Sequence, residues 1–85
     1  MAYTALFDKD AAKYIKSLDA TTRNRFKAKL DLILVDPFDA AHSKPLKMRT
    51  ERTARVGDYR ILFEVDTDNK LVHIVAAGPR GQIYR

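Results

Sequence analysis

Cysteine is absent from this 85-residue chain, and glycine and histidine are scarce. Without cysteine there is neither a disulfide framework nor a thiolate metal site. The three glycines, Gly57, Gly78 and Gly81, do not have the spacing of a phosphate-cradling loop. His42 and His73 stand in different stretches with no ligand-set spacing, so no metal and no cofactor are expected. His73, set among apolar residues, reads as a packed or hydrogen-bonded histidine. Ser17 and Ser43 lack the partners of a nucleophilic triad. Apolar runs such as Leu32 to Val35 are far too short to span a membrane, and no membrane partner is expected. Met1-Ala2-Tyr3-Thr4 lacks the basic-then-apolar order of an export signal, which predicts a cytoplasmic protein.

Acidic residues are sparse in one place. The formal net charge is +5 and the pI about 9.7, a bias towards polyanions or acidic proteins. Between residues 44 and 60 lie Lys44, Lys47, Arg49, Arg52, Arg55 and Arg60, against Glu51 and Asp58 alone. A one-sided basic strip follows from that distribution.

The length and ordinary composition indicate one domain, residues 1–85. Tyr3 to Phe7 has the β-branched and aromatic character of a strand. Asp8 is placed to cap a first helix through about Leu18, with Ala11, Ala12, Ile15 and Leu18 as its apolar stripe. Asp19-Ala20-Thr21-Thr22 caps a second helix, whose Phe26, Leu30, Ile33 and Leu34 recur at helical spacing. Arg23, Arg25, Lys27, Lys29 and Asp31 form its wet side, and Asp36-Pro37 ends it. Pro37 to Pro45 reads as a loop with Phe38 plugging the edge of the core.

Three strands follow, over Arg49–Val56, Tyr59–Val65 and Leu71–Ala77. Gly57-Asp58 is a two-residue hairpin signal, and Asp66 to Lys70 is a longer polar turn. The last strand is apolar nearly throughout, which predicts a central position. Gly78-Pro79-Arg80-Gly81 is expected to break it. The fold class is therefore α+β in the order β-α-α-β-β-β, with a helical hairpin packed on a small, twisted, mostly antiparallel sheet.

In the third of these four strands, Tyr59, Ile61, Phe63 and Val65 share one face, leaving Arg60, Leu62 and Glu64 on the other. Arg60 thus stands on a rigid platform opposite the predicted core. Any single arginine here reads as a solvated surface residue. Arg49, Arg52, Arg55 and Arg60 on adjacent strands, followed by Arg80, Tyr84 and Arg85, read together as a ligand surface. Guanidinium groups bind phosphate bidentately and remain charged. A tyrosine can stack on a base or pass a proton.

The initial strand, the charged helical hairpin ending at Asp36-Pro37, Lys44-Pro45-Leu46, the segment Arg55 to Val65 and the tail Ala77-Gly78-Pro79-Arg80…Ile83-Tyr84 resemble the RelE/ParE superfamily of toxins, the RelE branch most. The resemblance implies a toxin of a type II toxin–antitoxin module that cleaves ribosome-bound mRNA by metal-independent attack of the 2′-hydroxyl on the adjacent phosphate. It implies Arg60 and Arg80 as stabilisers of the phosphate and Tyr84 as an orienting or protonating group. Arg49, Arg52, Arg55, Lys47 and Arg85 would hold RNA. Partners implied are the ribosome, mRNA and an acidic antitoxin, in a toxin–antitoxin hetero-oligomer. Where RelE-like members carry two lysines, this chain has Glu51-Arg52-Thr53. Glu51 is then either a general base, as in some relatives, or an ion-pair partner. A carboxylate among arginines is a weaker base. Two other readings stay open: a ParE-like inhibitor of gyrase without catalysis, and an inactive toxin-derived binding module.

Overall fold

The computed structural model describes residues 2–47 and 50–79. Strand β1 (Thr4–Phe7) leads into helices α1 (Lys9–Lys16) and α2 (Ala20–Val35). A two-residue strand β2 (Lys44–Pro45) precedes β3 (Arg52–Val56), β4 (Tyr59–Asp66) and β5 (Leu71–Pro79). The sheet order is β1-β5-β4-β3-β2, antiparallel except where β1 runs parallel to β5. The architecture is the expected one, with β5 inside the sheet and β2 as an addition. A lysine–proline pair carries no strand signal of its own. Its partners Arg52 and Thr53 create it.

Each helix is held by its own local chemistry. At the start of α2 the Asp19 carboxylate accepts from the Thr22 N–H and hydroxyl, at 3.2 and 2.6 Å. The Thr22 hydroxyl, then its N–H, hold the Asp19 carboxyl below its ordinary value of 3.8. A carboxylate so favoured contributes its stability above its unfolded pKa and loses it as pH falls through the lower folded value. Asp19→Ala is therefore expected to lower the urea midpoint at neutral pH, and the gap from wild type should close in acid. A gap that persists in strong acid would contradict the cap.

Asp8 occupies the corresponding position of α1 but makes no side-chain cap bond. Its carboxylate lies 3.6 Å from His73 Nε2 of β5, and its N–H donates to the Ile74 carbonyl. The β1–β5 pairing brings that histidine alongside, while the Asp8 carbonyl accepts from the Ala12 N–H at 2.9 Å. The end of α1, at Lys16 rather than Leu18, is closed by Arg23 of α2. The Arg23 guanidinium donates to the carbonyls of Lys16 and Leu18. A residue expected to face only water thus ties the hairpin together.

The core lies between the helices and one sheet face. Phe26 and Ile33 of α2 are fully buried against Ile61 and Phe63 of β4 and Val72 and Ile74 of β5. Phe26 meets the Tyr59 ring edge-on, with centroids 5.6 Å apart. Gly57 opens the β3–β4 turn at φ +57°, a left-handed conformation that a Cβ would strain. In the β4–β5 turn, the Asn69 side chain and then its N–H donate to Asp66 and hold that carboxyl below its ordinary range.

One irregularity shapes the opposite face. Leu62 pairs with Ala76 but Phe63 pairs with Ile74, so Val75 is an extra residue in β5. Ile61, Leu62 and Phe63 are consequently all buried, although Leu62 alternates onto the Arg60 face. Strand β5 also continues through Gly78 and Pro79, where a break was expected. Its register with β1 stops at Ile74, so Pro79 has no strand on that side to which it must donate.

Candidate functional site

The register divides the arginines between the two sheet faces. Arg55 and Arg60 are directly opposed across β3 and β4, on the face that also carries Thr53 and Leu62. Arg52 pairs with Phe63 and so belongs to the helix-side face. Its Nε donates to the Ser43 hydroxyl at 3.1 Å, and its guanidinium lies 5.4 Å from the centre of the Phe38 ring. The single strip drawn from the sequence is thus split, with Arg52 clamping the α2–β2 connection. Phe38 is half exposed and works through that arginine rather than as a core plug.

Arg55 and Arg60 bound a polar concavity of about 410 Å³ with Thr53 from β3, Lys44 from β2, Lys29 from α2 and His42 from the connecting loop. Strand β2 pairs only with Arg52 and Thr53, which leaves residues 54–56 at the sheet edge and keeps the concavity open. Two like charges opposed on adjacent strands are destabilising. No ion pair to either guanidinium is present among the described residues. Arg55 Nε donates to the Gly57 carbonyl at 3.2 Å. Arg60 Nε is buried and has no hydrogen-bond partner among the described residues.

That orphaned donor follows from the strand around it. Leu62 and Thr53 are buried beside Arg60, and its ladder partner on β5 is Gly78, which adds no side chain. The Arg60 Nε is therefore shielded from water without acquiring an acceptor among the described residues. Leaving a buried donor unpaired costs on the order of 1–3 kcal/mol. A bound anion would offset the repulsion between Arg55 and Arg60.

Glu51 is half-buried just before β3, with its carbonyl accepting from Leu46, and it does not bound the concavity. Lys47 is exposed beyond β2. Arg49, Arg80, Tyr84 and Arg85 lie outside the described residues. Sequence reasoning did not bring Lys29 or His42 to this place. Lys29 falls on the polar side of a helical pattern and His42 is isolated in a loop, so no local periodicity links either to the strands. Among the described residues no group of three or more His, Cys, Asp or Glu is arranged to hold a metal ion. Among them, too, no helix is long and apolar enough to cross a membrane.

A family model described as the ParE toxin of type II toxin–antitoxin systems matches residues 3–84. Among solved structures, the archaeal RelE–RelB complex from Pyrococcus horikoshii matches at 26% identity and a TM-score of 0.82, over 96% of this chain and 99% of that one. The isolated E. coli RelE toxin matches at 28% identity and 0.81, over 98% and 92% respectively. A YoeB/ParE toxin from Agrobacterium tumefaciens, at 14% identity, shares the fold with a TM-score of 0.78, over 91% and 98%. No curated protein matches the chain.

Proposed function

Because the chain belongs to the ParE toxin family of type II toxin–antitoxin systems, within the RelE/ParE superfamily, we propose that it is a toxin that cuts mRNA on the ribosome. The observation that carries this reading is the opposed pair Arg55 and Arg60 in a cationic concavity, with no ion pair to either guanidinium among the described residues. Attack of a ribose 2′-oxygen on the adjacent phosphorus builds negative charge on the non-bridging oxygens. Preorganised cations in a water-poor site stabilise that charge most effectively. Arg60 is the transition-state contact and Arg55 holds the phosphate. Arg80 and Tyr84 are assigned to the same chemistry by resemblance, and Lys47, Arg49 and Arg85 to the RNA backbone. Arg52 reaches RNA only if it leaves Ser43 and Phe38. Glu51 is a base only if its carboxylate reaches the ribose from outside the concavity.

The partner in this reading is an acidic antitoxin, the counterpart of the RelB chains complexed with RelE-type neighbours. Its negative charge complements this face and blocks RNA access. Toxin, antitoxin and ribosome would meet in the cytoplasm. The test is incubation of the purified protein with mRNA-programmed ribosomes, followed by mapping of 5′ ends. Cleavage at the codon in the A site is expected, and it should disappear when antitoxin is added. Intact mRNA beside arrested growth would defeat the proposal.

The description of the matching family model favours a second reading, that of a gyrase-binding ParE-like inhibitor. Induced DNA-damage signalling with translation unaltered would establish it in place of the first.

A further inference from the structure

A 2′-hydroxyl needs a proton acceptor before it becomes a nucleophile, and the cations around this concavity cannot serve. Arginine has no acceptor site, and neither does a charged lysine. Histidine can accept a proton near neutral pH. His42 bounds the same concavity as Arg55 and Arg60. We propose that His42 is the general base of this site, taking the proton of the attacking 2′-hydroxyl. The assignment rests on the nuclease reading above.

The loop carrying His42 is built to hold it in place. Asp39 organises the turn: its carbonyl accepts from the His42 and Ser43 N–H groups at 3.0 and 3.1 Å, and its carboxylate accepts from Ala41 N–H at 2.9 Å. The buried Ser43 hydroxyl donates to the Pro37 carbonyl at 2.9 Å and accepts from Arg52 Nε. Arg52 therefore acts as a positioning residue for the histidine-bearing loop. His42 itself is only half-buried and bounds the concavity. The charged groups that share its concavity are Lys29 from α2, Lys44 from β2, Arg55 from β3 and Arg60 from β4, with Asp39 on its own loop.

The step balances without metal or redox partner. The 2′-oxygen bonds to phosphorus as the bond from phosphorus to the 5′-oxygen breaks. The 2′ proton passes to the imidazole, and the departing 5′-oxygen takes a proton from water. The products are a 2′,3′-cyclic phosphate and a 5′-hydroxyl, and the imidazolium returns its proton to solvent.

The test uses the full chain on mRNA-programmed ribosomes, with single-turnover rates measured between about pH 5 and 8, where histidine titrates. His42→Ala and His42→Gln are expected to slow cleavage by about 10²- to 10⁴-fold, with ribosome binding and urea midpoint unchanged. The acidic limb of the pH–rate profile should vanish in both. Added imidazole should restore part of the rate to His42→Ala and none to Arg60→Ala. Wild-type rates in the variants, a retained acidic limb, or a loss that imidazole does not repair would each overturn the assignment. If the wild-type protein leaves mRNA intact at every pH, the nuclease reading itself fails, and His42 has no such role.

Discussion

Arg60→Ala is expected to lower the single-turnover rate of mRNA cleavage by about 10²- to 10³-fold while leaving the protein as stable as wild type, or more so. The two halves of this expectation have one cause. The shielded Nε has no partner among the described residues, and Arg60 is paired across the strands with Arg55. Alanine removes an unsatisfied donor and a like-charge pair, both of which cost stability. It also removes the cation proposed to meet the developing phosphate charge. Arg60→Lys keeps charge but loses the planar fork that pairs with two phosphate oxygens, so an intermediate rate is expected. Cleavage assays paired with urea denaturation read both quantities. An alanine variant that cuts as fast as wild type, or one whose lost activity tracks lost stability, would show that Arg60 serves the fold alone.

Phe26→Ala is expected to cost about 3–5 kcal/mol, as buried aromatic truncations do, and to lower Tm by about 12 °C or more. Phe26 is fully buried, belongs to the cluster that joins α2 to the sheet, and packs edge-on against Tyr59, the first residue of β4. Its loss would open a cavity at the junction that aligns the helices with the Arg60 strand. Small domains have only about 5–15 kcal/mol in all, so toxicity in cells should fall through lost folded protein. Val35→Ala, at a position 70% exposed on the same helix, is the control and should change stability by less than about 0.5 kcal/mol. Calorimetry that found the two variants alike would refute this account of the core.

Local rules determined most of the fold. Helical spacing from Phe26 to Leu34, the Asp19-Thr22 cap, the Gly57-Asp58 turn and the alternation along β4 are each set by residues close in sequence, where short-range sterics and hydrogen bonds decide. The same alternation put Arg60 opposite the core and allowed Arg55 to join it. What required the tertiary structure was everything carried by pairing between distant segments. Lys44-Pro45 became a strand because β3 offered it a partner, and the β1–β5 pairing set His73 beside the Asp8 carboxylate.

The site shows the same division. A basic strip was legible as composition, but composition has no faces. The β3–β4 register sent Arg52 to the helix side and Arg55 to the Arg60 side, because neighbouring residues in a strand point to opposite faces. Leu62 and Thr53, buried on the same face, shield the Arg60 Nε, and Gly78 opposite it adds no acceptor side chain. Chain folding from α2 to β2 carried Lys29 and His42 to the same concavity. Sequence alone determined that this protein presents arginine on a rigid strand. The tertiary structure decided which arginines share a face, because only long-range pairing specifies which side chains stand side by side and which are kept from water.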